Sequence, residues 1–269
     1  MTVGMPFGLT ISARRHIAAL LCAGMLSSVA WADDSASDDP NMVFGAGVQR
    51  MPAWMGANNH RNQPVPYIDA DLPWHITLST LDGLTVDFIH SGKWRGGLYG
   101  NYLWGRTNDE LGPRLNGVIA PLPPRLQGGG YLEYQFTKPF SVGGNLSHDT
   151  QGAGAYLNLY ADCDLPAVGY YEHSVQLQWQ AMNGAAMDRF FGVSPWQAAR
   201  LGTRPWSPGA GGQQIAFEYD AYMPTSVHTG VAVAVNYARL LGDAGDSTLV
   251  RSYGSANQLT TTLAFVYRF

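Results

Sequence analysis

The chain alternates with a period of two. Val175, Leu177 and Trp179 interleave with Gln176, Gln178 and Gln180. Ile215, Phe217 and Tyr219 interleave with Ala216, Glu218 and Asp220, and Leu132, Tyr134 and Phe136 with Tyr131, Glu133 and Gln135. Val231, Val233, Val235 and Tyr237 interleave with Ala232, Ala234, Asn236 and Ala238. Leu263, Phe265, Tyr267 and Phe269 do the same against Thr262, Ala264, Val266 and Arg268. Successive side chains of a strand point to opposite faces, so each segment is a strand with one apolar face and one polar or small face. A soluble sandwich would turn the apolar face inward, and a transmembrane barrel would turn it outward to lipid. The alternation alone leaves both open.

Three features favour an all-β transmembrane antiparallel β-barrel. Several strands run about 8–12 residues, beyond the soluble mode of about 5–6. Aromatic residues gather near strand ends, at Trp54, Tyr67, Trp74, Trp104, Phe140, Tyr222 and Tyr237, where interfacial girdles would sit. Tight turns at Thr137-Lys138-Pro139 and Pro224-Thr225 contrast with long loops at 107–127, 183–212 and 241–256. Short turns on one side and long loops on the other are an outer-membrane habit. The predicted strands are 42–53, 64–71, 74–80, 84–90, 93–106, 128–137, 139–147, 153–163, 173–182, 212–222, 227–240 and 257–269. Merging segments within 64–106 would give ten strands, but it requires a strand running through Ser91-Gly92-Lys93, so twelve is preferred. One helix is predicted at 195–201, inside a long loop, with Ser194 as N-cap, Pro195 at the first position and Gly202 after the end. It could plug the lumen, lid the mouth, or be a capped turn on a loop.

Composition narrows the class further. Charged residues are 13% of the chain and hydrophobic residues 46%, which excludes intrinsic disorder. No apolar run of about 20 residues follows residue 32, which excludes a polytopic helical membrane protein. Residues 1–32 read as a secretory signal. Arg14 and Arg15 precede the apolar stretch Ile17–Val29, and Ala30 and Ala32 frame an A-x-A cleavage site. Residues 33–41, with Asp33, Asp34, Asp38 and Asp39, then form an acidic periplasmic tail ahead of a barrel domain at 42–269. The remaining charge is near neutral, so no nucleic-acid partner is expected. Of the two cysteines, Cys22 falls in the signal, so Cys163 has no intramolecular partner.

Several pieces in order carry a family resemblance. They are Phe190-Phe191-Gly192-Val193-Ser194-Pro195, then Arg239-Leu240-Leu241-Gly242-Asp243-Ala244-Gly245-Asp246-Ser247, then Asn257-Gln258 and the terminal Tyr267-Arg268-Phe269. Gly105-Arg106 and Pro66-Tyr67-Ile68-Asp69 fit as well. Together the chain resembles the MipA/OmpV family of bacterial outer-membrane proteins. Gly245 stands where Ala is common in the family, and Thr248 where Pro is common. The resemblance implies an outer-membrane barrel that is not an enzyme. Its name-giving member is described as a scaffold for a membrane-bound lytic transglycosylase and a murein synthase. Other members are treated as porin-like or as adhesins. The resemblance to outer-membrane proteins also implies that Phe265, Tyr267 and Phe269 form a signal read by the barrel-insertion machinery.

The chemistry-bearing residues suggest no catalytic centre. Ser147-His148 and His173-Ser174 are neighbours on strands, so each pair splits between opposite faces. No G-x-S-x-G elbow or H-x-x-x-H spacing occurs. Asp243 and Asp246 could ligate calcium, but a solvated turn, or pairing with Arg239 or Arg251, is the stronger reading. No cofactor and no metal are expected. Cys163, between Asp162 and Asp164, reads as an unreactive residue at the periplasmic rim. The inward set is expected to be Glu133, Gln135, Gln176, Gln178, Gln180, Glu218, Asp220, Asn236 and Arg268, facing a hydrated channel or one another. For a scaffold, the stretch 165–173 with Tyr170 and Tyr171 is the candidate periplasmic contact. A porin-like channel is the alternative, and an adhesin using loops 107–127 and 183–212 is third.

Overall fold

Twelve antiparallel strands close into a barrel in the computed structural model, which describes residues 42–80, 83–103 and 105–269. The expected signal with Ala30 and Ala32, the acidic tail and Trp104 lie outside the described residues. The strands are β1 (Met42–Pro52), β2 (His60–Leu72), β3 (Ile76–Ser79), β4 (Gly83–Ser91), β5 (Trp94–Leu103) and β6 (Arg125–Thr137). They continue as β7 (Phe140–Asp149), β8 (Ala155–Asp164), β9 (Glu172–Met182), β10 (Gly211–Pro224), β11 (Thr229–Leu240) and β12 (Asn257–Arg268). Each pairs with its sequence neighbours, and β1 closes on β12 with Val48 opposite Leu263.

The barrel is inside out relative to a soluble domain. Outward Leu146 and Leu263 are 62% and 52% exposed, whereas Gln176 and Glu218 on the other parity are 1% and 0% exposed. A slip of one residue in register would exchange the two sets, so the alternation fixes register as well as strand identity. The apolar belt is a lipid-facing surface, since no water-soluble monomer exposes so continuous an apolar band.

At the short-turn end the belt finishes in touching aromatic rings. Phe269 meets Phe44 and Tyr267, Tyr267 stacks with His228, and Tyr134 meets Trp94 and Phe136. Three of the expected girdle residues are elsewhere. Trp54 is buried in the loops at the other end, while Tyr67 and Tyr222 share the lumen parity and pack with Val43, Ala234, Ala264 and Val266. Proximity to a strand end had suggested the interface, but parity decides which way a ring points. Phe140 and Tyr237 do face outward, and Trp74 is exposed on the β2–β3 turn.

The wall is low at β3. β2 begins at His60 rather than at 64, and of its length only Asp69–Leu72 pairs with β3. Two prolines explain how the upper part of β2 remains a strand. Ile68 exchanges bonds with Thr80 on the side away from β1, and Pro64 and Pro66 share the parity of Ile68. Their missing N–H groups therefore fall on the side where no strand follows, the position in which a strand tolerates proline. Above the β3–β4 hairpin a notch is left between the β2 edge at Asn62–Pro66 and the β5 edge at Asn101–Leu103. The β2–β3 turn places Trp74 and His75 at φ of 65° and 58°, a left-handed pair that costs side-chain-bearing residues energy.

Candidate functional site

The connections at the two ends differ in kind. One end has short turns. At the other, the loops carry five helices: α1 (Asn108–Leu115), α2 (Gly184–Phe191), α3 (Pro195–Leu201), α4 (Gly242–Gly245) and α5 (Thr248–Tyr253). Trp54, Leu103, Leu111, Ile119, Met187 and Phe191 pack with one another there, drawn from three connections and the end of β5. Burying a side chain of this size is worth about 1.5–3 kcal/mol, so these loops have a core of their own and form a cap over the mouth.

Local signals start three of the helices. Thr107 and Glu110 form a capping box for α1, and Ser194 and Gln197 one for α3. The Asn183 side chain caps α2 through the amide of Ala186. Gly202 ends α3 at φ 65°, as predicted from its place after the last apolar residue. A Cβ at Gly192 would run into the carbonyl oxygen of Asp188, so the sharp exit from α2 requires glycine. The predicted helix lies within the cap: Ala198 is buried in its core, while Trp196 faces solvent beside Arg200.

Long-range hydrogen bonds tie the loops together. Arg106 is the central one. Its Nε donates to the Ala120 carbonyl at 3.2 Å, and its terminal nitrogens donate to the Phe190 carbonyl at 3.0 Å and the Arg189 carbonyl at 3.4 Å. The last two are orphan carbonyls at the C-terminus of α2, where a cation also complements the helix dipole. Burial lowers the Arg106 guanidinium to about 10, so it remains charged at neutral pH. Among the described residues it forms no ion pair. The Ser247 hydroxyl, fully buried, donates to the Phe191 carbonyl at 2.7 Å. The Gln258 side chain accepts from the Gly56 amide and donates to the Ala57 carbonyl, joining β12 to the first loop. Asp149 binds both Arg125 and Arg189, holding the β7–β8 loop to α2. Many of the residues that carry the family resemblance, Phe190 to Ser194, Ser247 and Gln258, are therefore the cap's core and its joints.

Beneath the cap lies a cavity of about 700 Å³, counting volume open to solvent. Met51, Trp54, Met55 and Phe190 line it with Arg61, Arg106, Gln214 and Asn236. Arg61 pairs with Glu110 of α1, so this contact reaches from β2 to the loop that follows β5. Deeper in the lumen the polar side chains bond to one another. Gln214 donates to Gln180, Gln180 to Gln178, Gln178 to Gln176, and Gln176 to Asp162. Asn236 donates to Glu218 at 2.7 Å, and Gln63 reaches Thr262 through Gln49. Arg95 sits 3.7 Å from both Asp87 and Glu133. A second space of about 440 Å³ lies among Tyr99, Asn145, Asn158 and Gln127.

The other singled-out residues scatter. Phe265, Tyr267 and Phe269 share the outward face at the short-turn end. Tyr170 is exposed on the turn before β9, whereas the Tyr171 hydroxyl lies 2.6 Å from that of Tyr219 and its ring meets His173. The structure thus separates the two tyrosines: one is free for a contact and one is built into the wall. Ser147 bonds to Gln127 in the lumen, while His148 turns to the Asp149 carbonyl. Ser174 is buried, and His173 faces Tyr219 and the Pro166 carbonyl. Asp246 pairs with Arg251 at 3.4 Å, and Asp243 accepts from the Gly209 amide at 2.8 Å rather than from Arg239. No group of three metal-ligating side chains forms among the described residues. Cys163 is half-buried on β8, with its sulfur 3.7 Å from the Asp164 carbonyl.

Residues 44–269 match the family described as MltA-interacting protein MipA. The chain belongs to this family. Among curated proteins nothing matches it. Solved outer-membrane barrels resemble it distantly. The NanC porin is 6% identical, with 85% of this chain and 100% of that one covered, at a TM-score of 0.40. A bacterial polysaccharide outer membrane secretin is 7% identical over 85% and 98%, at 0.42. The outer membrane channel DcaP of Acinetobacter baumannii is 5% identical over 86% and 96%, at 0.40. Likenesses this remote say nothing of what the chain does.

Proposed function

We propose that this chain is a non-enzymatic outer-membrane scaffold that holds a lytic transglycosylase and a murein synthase at its periplasmic face. The observation that carries this reading is membership, over nearly the whole barrel, of a family described by its interaction with MltA. The short-turn end, where β1 begins and β12 finishes, is the periplasmic face in this reading, and outer-membrane lipid covers the belt. The aromatic face of β12, Phe265, Tyr267 and Phe269, engages the insertion machinery. The interior supports a scaffold over an open pore, since Gln176, Gln178, Gln180 and Gln214 bond in a chain that ends on Asp162, and Gln176, Gln178 and Glu218 are shielded from water. The turn before β9 supports a docking role, with Val168 and Tyr170 at 69% and 73% exposed. A protein hot spot is typically a tyrosine or tryptophan of this kind.

The test is capture of the two purified enzymes on the immobilised barrel. Tyr170→Ala alone should abolish capture. Tyr171→Ala should weaken it less, because that ring is tied to the wall. Undiminished capture by the double variant would overturn the contact assignment. The porin-like reading is favoured by one observation, the solvent-connected space beneath the cap. Stable single-channel conductance in a planar bilayer would establish that reading in place of the scaffold.

A further inference from the structure

We propose that the cavity under the cap is a binding site for a small amphiphilic monocarboxylate, an apolar body with one anionic end. The lining sorts into those two halves. Met51, Trp54, Met55 and Phe190 offer an apolar wall, in which thioethers adapt to varied shapes. Arg61 and Arg106 supply the cationic end.

Charge bookkeeping gives the sign of the ligand. No aspartate or glutamate lines the cavity. Glu110 offsets Arg61 from outside it, and Arg106 has carbonyls only. One positive charge is left over in a mostly apolar, half-open cavity, where an ion without a counter-charge is costly. The three carbonyl bonds use three of the five N–H donors of Arg106. Among the described residues the buried Nε of Arg61 has no hydrogen-bond partner. Guanidinium donors of this kind match a carboxylate, which can accept two parallel bonds. Arg61 immediately precedes the β2 margin of the notch, and Gly105 and Arg106 follow its β5 margin, so the cavity lies next to the gap in the wall.

The experiment uses the barrel in lipid nanodiscs, with 3-phenylpropanoate as probe and 3-phenylpropan-1-ol as its uncharged counterpart. Binding is read by isothermal titration calorimetry against empty nanodiscs. The acid should bind saturably and about tenfold tighter than the alcohol, the gain of one charge-assisted bidentate contact. Glu110→Gln keeps the capping box of α1, which accepts either residue, and removes the competing carboxylate. It should tighten binding of the acid about three- to tenfold. Ala238→Leu fills the cavity from β11 and should abolish binding, with folding confirmed by the heat-dependent shift on SDS gels. Thr260→Leu fills it from β12 and serves if the first variant does not fold. Equal binding of acid and alcohol overturns the proposal. So does undiminished binding by a folded, cavity-filled variant, an E110Q variant no tighter than the parent, or no saturable binding at millimolar acid.

Discussion

Replacing Arg106 with methionine takes a cation out of a site that has three carbonyl oxygens and no carboxylate. Three terms compete. The bonds at 3.0 Å and 3.2 Å are well made and the one at 3.4 Å is weak. Two buried carbonyls left unmet cost about 1–3 kcal/mol each, or about 4 kcal/mol together. Loss of the charge at the α2 terminus adds about 1 kcal/mol. Against this, methionine avoids burying a cation. Burial lowers the guanidinium to about 10, which puts that cost at about 3 kcal/mol. The net expectation is a cap weakened by about 2 kcal/mol, with the packing of the aliphatic stem largely replaced. Native-state hydrogen exchange should show amides of 184–191 exchanging about 30-fold faster, the factor that corresponds to 2 kcal/mol. Strand amides on β10 to β12 should keep their protection, because their ladder bonds do not pass through Arg106. Unchanged exchange in α2, or equal loss in the strands, would refute the view that Arg106 locks the cap onto an independently stable wall.

Three further outcomes follow from the geometry. Leu263→Arg puts a charge mid-strand on the lipid face and should cost about 2–4 kcal/mol in reversible folding into bilayers; a cost below about 0.5 kcal/mol would contradict the inside-out orientation. Replacing Trp74-His75 with Asn-Gly should stabilise the barrel by about 1–2 kcal/mol in urea titration, since both positions are left-handed; destabilisation would mean that the exposed tryptophan contributes contacts that outweigh its strain. Phe269→Ser should lower the amount of assembled barrel in cells several-fold while leaving the purified protein's stability nearly unchanged. Normal assembly would remove the insertion role from this residue.

Much of the wall was legible because the period of two holds along most of β6 to β12, interrupted only by register shifts near Thr137 and Gln213. It was less legible where the rule has exceptions. Pro64 and Pro66 read as punctuation, and only the pairing pattern reveals that their missing donors fall on an unpaired edge. Trp54, Tyr67 and Tyr222 were placed by their distance from strand ends, but a ring's side of the wall depends on register. α3 was visible because serine, proline and glycine mark both its ends. α1 has an equally clear start in Thr107-x-x-Glu110, yet Gly112-Pro113 in its middle disguised it, with Gly112 at φ 69°. Asn183 was the missed signal for α2. α4 and α5 are too short to show a helical period. The cap had one overlooked clue, since loops containing Leu111, Leu115, Ile119, Met187 and Phe191 are too apolar to lie in water. Its joints at Arg106, Ser247 and Asp149 depend on contacts between distant loops, which no local pattern encodes.

A closed wall has no free end from which to fray, so it fails only by tearing between two strands. The ladders on either side of β3 have four residue pairs each, whereas the closing seam between β1 and β12 has eight. A tear therefore begins in the first third of the chain, far from the seam that joins its first and last strands. What remains is an open sheet running from β4 round to β2, with the β1–β12 seam intact near one edge and the helical cap still joining the loops above it. From that state the barrel can reclose by re-forming one short hairpin. Repair of the wall is then a local event, separate from the longer task of building it.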